Sequence, residues 1–252
     1  MGVLILDLEA TSLDTKQARI IEIGAMFTDN SFEREIAGVN TLVWESGYPA
    51  LTEEVMRVTN ITQQMLDKEN VSMQRALGIL KCVAEPKDID FVCAFNVDYD
   101  KPVFFEDMRR GAFTMDPFIN HILQLPWVCG LRDVETNYKF KSRRLAHLAL
   151  EYGVTVDPSK LHRAYGDVQL TRKMLHAAGA TAQSMHAYQQ IPWVVLKAKV
   201  SFDDKDKAKA AGFTWQQVHG DDRVYTKQWV KKIKQTDIEK ESNYDFRVEQ
   251  IQ

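Results

Sequence analysis

Near the start of the chain two carboxylates interrupt an otherwise apolar run, Val3-Leu4-Ile5-Leu6-Asp7-Leu8-Glu9. An acid inside a strand is disfavoured by propensity, and a buried carboxylate is costly unless it is paired or bound to metal. Asp7 and Glu9 are two residues apart, so on a strand their side chains share a face. There they repel each other. A divalent cation between them removes the repulsion and receives the oxygen ligands that Mg²⁺ or Mn²⁺ prefers. An edge strand with both acids in water is the simpler alternative. Asp100 follows the apolar run Phe91–Phe95, and standing before Lys101-Pro102 it also reads as a helix N-cap. Its neighbour Asp98 reads as solvated. Asp167, after Gly166, could simply begin a helix. His162 sits five residues earlier in the polar loop Ser159-Lys160-Leu161-His162-Arg163. An imidazole with an ordinary pKa of about 6.5 can take a proton near neutrality. The other histidines (His121, His147, His176, His186 and His219) show no metal-ligand spacing.

The elements that must carry these residues follow from periodicity. Val3–Leu8 and Ile20–Phe27 read as buried strands and Asn40–Trp44 as a third, close enough for an antiparallel meander. Thr52–Val58 and Met73–Ala84 have helical spacing, and Asp90–Phe95 is another buried strand. A helix is expected from Asp100, with Pro102 at a favoured early position, to about Arg110. Arg144–Tyr152 is helical and stops at Gly153, and Asp167–Ala178 is the last strong helix of the first domain. Three strands followed by alternating helices and strands give an α/β protein, a mixed sheet flanked by helices of the ribonuclease-H-like kind. The character changes near Ile191-Pro192-Trp193, so the first domain is set at 1–190. A small basic and aromatic α+β module is set at 193–234 and a charged tail at 235–252.

Charge supports the division. Net charge is −3, which argues against a sequence-blind DNA coat. Residues 197–234 carry ten Lys/Arg against five Asp/Glu, and the last 18 residues carry two against five. An acidic body with a basic appendage suits an enzyme that needs cations in its site and polyanion contacts elsewhere. Cys82, Cys93 and Cys129 are too few and too scattered for a disulfide framework or a zinc ribbon. They read as three buried small hydrophobes in a reducing compartment. Apolar stretches fall short of the roughly 18 residues that span a membrane. The first residues read as a strand and not a signal peptide, and Leu6 stands where myristoylation wants Ser or Thr. A cytoplasmic protein with no membrane partner is expected.

Three ordered motifs make a family resemblance. Asp7-Leu8-Glu9-Ala10-Thr11-Ser12-Leu13-Asp14 resembles the D-x-E-T-T-G-L-D opening of proofreading-type exonucleases, and Ile20-Ile21-Glu22-Ile23-Gly24-Ala25 the strand that follows it. Val58-Thr59-Asn60-Ile61-Thr62 is similar to the family's (T/H)-G-I-T turn. Phe95-Asn96-Val97-Asp98-Tyr99-Asp100 resembles H-N-x-x-F-D, and His162-Arg163-Ala164-Tyr165-Gly166-Asp167 resembles H-R-A-x-x-D. Residues 1–180 thus resemble the DEDD exonuclease superfamily, its His-containing subgroup, related to the polymerase III epsilon subunit. Ala10, Ser12 and Phe95 depart from the pattern, and Trp127–Leu131 stands where the family has an Asp-Thr strand. None of these removes a ligand.

The resemblance implies a 3′→5′ exonuclease acting on DNA, with RNA as the alternative substrate. Two Mg²⁺ or Mn²⁺ ions would be held by Asp7, Glu9, Asp100 and Asp167, with His162 as general base. Ala10, Thr11, Leu13 and Asn96 would grip the terminal nucleotide, and a polymerase or repair complex would be the partner. A non-catalytic binding protein that kept the fold is the other alternative. The segment from Lys205 to Trp215, followed by Val224-Tyr225 and Trp229, resembles a short uncharacterised module of phage and plasmid DNA-processing proteins. Lysines beside aromatics suit phosphate contact and base stacking, although Phe213, Trp215 and Trp229 could equally build its core.

Overall fold

The computed structural model describes residues 2–84, 88–135, 142–219, 225–239 and 244–251. Val224 lies outside them. The chain divides into two units, residues 1–189 and 190–252.

In the first unit the apolar runs become strands β1 (Gly2–Ala10), β2 (Ile20–Thr28) and β3 (Glu35–Leu42), joined as the expected antiparallel meander. The third strand begins earlier than its apolar stretch because it is the sheet edge. Its residues alternate between exposed and half-buried, which hides it from a search for apolar runs. Strands β4 (Ile89–Ala94) and β5 (Trp127–Cys129) add to β1 in parallel, giving the order β3-β2-β1-β4-β5. Seven residues of β2 are apolar or glycine, and all nine are buried, because helices cover both sheet faces.

On one face Leu4, Leu6 and Leu8 pack with α3 (Met73–Ala84), α4 (Val97–Arg110) and α5 (Pro117–Gln124). On the other, Val3 and Ile5 pack with α6 (Leu145–Glu151), α7 (Ala164–Ala177) and α8 (Ala182–Gln190). Two short helices, α1 (Glu53–Thr59) and α2 (Gln63–Glu69), lie between β3 and α3 in the chain, and each has a threonine N-cap, Thr52 and Thr62. Asn60 between them takes the left-handed conformation, φ +56°, where the related turn has glycine. Among the cysteines, Cys93 and Cys129 are buried as expected, but Cys82 on α3 is exposed.

In the second unit β6 (Trp193–Lys199), β7 (Thr214–His219), β8 (Tyr225–Lys234) and β9 (Arg247–Gln250) form an antiparallel sheet in the order β7-β8-β6-β9. Helix α9 (Lys205–Ala210) precedes Gly212, whose φ of +84° ends it as expected. Val194, Leu196, Ala198, Ala208, Phe213 and Ile233 form the core. The segment 235–252 is not only a charged tail. Its charged residues flank Tyr244, Phe246 and Val248, which pack on that core, and β9 pairs with β6. Among the described residues, no helix is long and apolar enough to cross a membrane.

Candidate active site

Strand β1 outruns its neighbour. Its ladder with β4 ends at Ile5 opposite Cys93, while its ladder with β2 continues to Ala10. The backbone beyond Ile5 is therefore open on the β4 side. There the buried Asp100, in the first turn of α4, accepts a hydrogen bond from the Leu8 amide at 3.1 Å. Asp100 is thus not the N-cap. The helix starts three residues before it, with Asn96 at the cap position and its carbonyl accepting from the Tyr99 and Asp100 amides. Asp7 and Glu9 point to the face that α7 covers. Asp167, in the first turn of α7, brings its carboxylate to them. One oxygen from each of the three lies within 4.8 Å of the others. All three are half-buried, and Asp167 Oδ1 is inaccessible to solvent and has no hydrogen-bond partner.

Glycines set the approach of α7. A Cβ on Gly24 in β2 would lie 2.3 Å from the Ala164 carbonyl carbon, and one on Gly166 2.0 Å from the Lys160 oxygen. Glycine at both points lets the helix start close enough to the sheet for Asp167 to reach Asp7.

Burial, reinforced by the neighbouring acids, raises the carboxyl pKa of Asp7, Glu9, Asp100 and Asp167. Asp7 is pushed well above the ordinary range by burial first, then by Asp100, Glu9 and Asp167. Burial and Glu22 raise Glu9 to about 8, and burial raises Asp100 to about 7. Burial also raises Asp167, to about 6, opposed by the charge and backbone amide of His162. Protons therefore bind the folded protein more tightly than the unfolded chain. Between the unfolded pKa values near 4 and these folded values, rising pH must destabilise the metal-free fold. Thermal unfolding in EDTA is expected to give a Tm lower by roughly 5 °C or more at pH 8 than at pH 5. Mg²⁺ should recover most of that loss at pH 8 and little at pH 5. Equal Mg²⁺ stabilisation at both values would show that the cluster is not the ion's site.

His162 is exposed and immediately precedes Arg163 and α7. It is a non-glycine residue with φ +56°, a conformation that costs about 1–2 kcal/mol and needs support from its surroundings. The support comes from Glu22, which sequence reasoning left out of the site. Glu22 is fully buried in β2 opposite Glu9. Its carboxylate accepts from Arg163 Nη2 at 2.6 Å, from Arg163 Nε at 3.1 Å, from the Ala164 amide at 3.0 Å and from Asn40 Nδ2 at 3.0 Å. The Ala164 bond caps α7 and explains why this helix begins three residues before Asp167. An acid alone in Ile20–Phe27 was the available signal, but its partner lies 141 residues away. Glu22→Gln is expected to lower kcat on the order of 10–100-fold with little change in KM. Combined with Arg163→Ala, the losses should be non-additive, because both changes release the same backbone. A Glu22→Gln enzyme with wild-type kcat would remove this residue from the positioning scheme.

The four residues expected near a terminal nucleotide differ in what they leave free. Leu13 is 86% exposed on a loop whose Ser12 carbonyl accepts from Tyr99 Oη at 2.8 Å. Asn96 is exposed, and its side chain makes no cap bond. Ala10 is buried at the end of β1. The Thr11 amide donates to the Arg19 carbonyl, and its hydroxyl accepts from the Arg19 amide, both at 3.0 Å, so this residue shapes the loop internally. Asp98 pairs with Arg132 and stays at the surface.

Clustered acids thus stand where the central strand of a mixed, helix-flanked sheet runs free of its neighbour. Residues 4–175 match the family model described as exonuclease (RNase T), and the chain belongs to that family. Residues 194–251 match a domain of unknown function, DUF8626. Curated proteins give no match. Among solved structures, a full-length 3′-exonuclease is similar at 14% identity and TM-score 0.56, over 69% of this chain and 59% of that one. Zinc-bound E. coli exonuclease I in complex with single-stranded DNA is similar at 16% identity and TM-score 0.60, over 88% and 53%. The nuclease domain of 3′hExo, a DEDDh family member bound to rAMP, is similar at 15% identity and TM-score 0.53, over 71% and 90%. This chain spans between about half and three fifths of the first two.

Proposed function

We propose that the chain is a metal-dependent 3′→5′ exonuclease that releases nucleoside 5′-monophosphates from the 3′ end of single-stranded or frayed DNA, in replication or repair. One observation carries the reading. Three carboxylates from two distant segments converge within 4.8 Å, beside a fourth, with a buried oxygen of Asp167 unpartnered. An all-oxygen donor set of this kind fits Mg²⁺ or Mn²⁺. Asp7, Glu9 and Asp167 would hold one ion, and Asp7 with Asp100 a second. When bound, the ions supply charge neutralisation at the scissile phosphate.

The residues of the chain do the rest. His162, exposed at the rim, takes the proton of the attacking water. The Glu22–Arg163 pair keeps its backbone in place. Leu13 wedges against the last base, Asn96 meets the terminal nucleotide, and Ala10 and Thr11 form the floor and shape the loop beneath it.

The carboxylates do not distinguish sugars, and the similar structures include proteins bound to single-stranded DNA and to rAMP. An RNA exonuclease is therefore the second reading. DNA and RNA oligonucleotides labelled at the 5′ end decide between them in Mg²⁺ or Mn²⁺, with EDTA as control. A ladder shortening from the 3′ end on DNA is expected, with circular DNA left intact. Trimming from the 5′ end, or cutting of the circle, would overturn the reading.

A further inference from the structure

The second unit contains a cleft that the active site does not use. Strands β6 and β8 are hydrogen-bonded from Trp193–Lys234 as far as Lys197–Val230. Beyond that pair each follows its outer neighbour. β6 stays with β9 through Lys199–Arg247, and β8 stays with β7 through Gln217–Lys227 and on to His219–Tyr225. The sheet forks, and the fork encloses about 470 Å³. Lys197, Lys199, Lys227, Trp215, Gln228 and Trp229 line it.

Its chemistry is selective. Trp215 and Trp229 face each other across the strands with ring centroids 5.5 Å apart, and Trp215 is 53% exposed. A large aromatic left in water beside lysines offers a stacking face to a planar cation-attracting partner. Among the described residues neither Lys197 nor Lys227 has an ion-pair partner, while Lys199 pairs with Glu249 at 3.0 Å. Other lysines of the unit are structural. Lys234 is buried, with Nζ on the Ile191 carbonyl and over the Trp193 ring, and Lys231 bonds the Ala211 carbonyl and Tyr244. Of the cations at the fork, Lys199 is held by Glu249, while Lys197 and Lys227 are not engaged in this way. Just past Val200, which also lines the fork, Phe202 is 80% exposed with Lys205 Nζ 4.0 Å from its ring centroid. Aromatic faces interleaved with free ammonium groups match a chain of bases and phosphates.

We propose that this fork binds single-stranded nucleic acid, with a base stacked on Trp215 and backbone phosphates on Lys197 and Lys227. The proposal rests on the reading of the chain as a nuclease only in its choice of polymer. An acidic polypeptide is the competing occupant.

The test uses the full chain. Binding of a fluorescein-labelled 20-nucleotide oligo(dT) is followed by anisotropy in EDTA across a salt series. Trp215→Ala, and separately the pair Lys197→Ala with Lys227→Ala, should each weaken binding about tenfold. The lysine pair should also flatten the slope of log K against log salt by about 1.4, because each single-strand phosphate contact contributes about 0.7. Hydrolysis of the 5′-monophosphate p-nitrophenyl ester of thymidine, which is too small to span a second site, should be unchanged in Mg²⁺. Trp215→Phe should restore binding. Trp215 and Lys227 are exposed and Lys197 is half-buried, and melting curves verify the fold of each variant. Unchanged affinity and slope overturn the proposal while leaving the exonuclease reading intact. Polyglutamate competing as well as oligo(dT) overturns it in favour of a peptide dock. Wild-type chain that binds oligo(dT) through Trp215 but hydrolyses nothing sinks the nuclease reading and keeps this one.

Discussion

Asp7→Ala is expected to reduce Mg²⁺-dependent hydrolysis by on the order of 10³-fold or more while the fold persists. Asp7 is the carboxylate nearest to all the others in its electrostatics, since Asp100, Glu9, Asp167 and Glu22 all act on it. Losing it would leave both proposed ions short of a ligand. The same crowding gives the variant a second signature. Its negative charge opposes folding when no cation is present, so Asp7→Asn, which keeps the shape, should raise the metal-free Tm at pH 8. The gain should vanish near pH 4, where the wild-type cluster is protonated in the folded state. Activity falling while metal-free stability rises separates a ligand from a structural residue. Wild-type activity in Asp7→Ala would falsify the site as a whole.

His162→Asn is expected to lower kcat by about 10²–10⁴ with KM and Tm close to wild type. Asparagine is the better test than alanine. The position has φ +56°, which asparagine adopts at lower cost than alanine, so His162→Ala adds backbone strain to the loss of the imidazole. With the base gone, the metal dependence of the residual rate should stay as in the wild type. A variant that loses activity through misplacement of Asp167 instead would change its metal dependence. Retention of more than half of kcat in His162→Asn would assign proton removal to another group.

The sheet and the first two acids were legible because their signals are local. An apolar run interrupted at alternate positions places Asp7 and Glu9 without reference to the rest of the chain. Asp100 was ambiguous for the opposite reason. Its role depends on the Leu8 amide, 92 residues away, and nothing beside it in sequence distinguishes that bond from a helix cap. Glu22 stood out as a lone acid in an apolar strand, but only the folded chain brings Arg163 to it. Helices α2, α5 and α8 went unread, although Asp116 before Pro117 carries the start signal of α5 and its side chain does cap it. Lysine composition in the second unit pointed to phosphate contacts. It could not show that Lys231 and Lys234 are spent inside the fold, nor that the final segment returns as a strand.

The bond from Leu8 to Asp100 has a consequence for what changes the gene can accept. Turns between strand and helix usually tolerate added residues, and one placed before α4 can be absorbed there. Inside the helix it cannot. Asp107 holds the same helix further on, accepting from the Ile20 amide at 2.8 Å. One extra residue between Asp100 and Asp107 would turn one carboxylate relative to the other by about 100° and shift it about 1.5 Å along the helix. Only one of the two bonds to the sheet could then form, and keeping that of Asp107 would cost the second cation before it cost the fold. Insertions here should be far rarer among working copies than substitutions are.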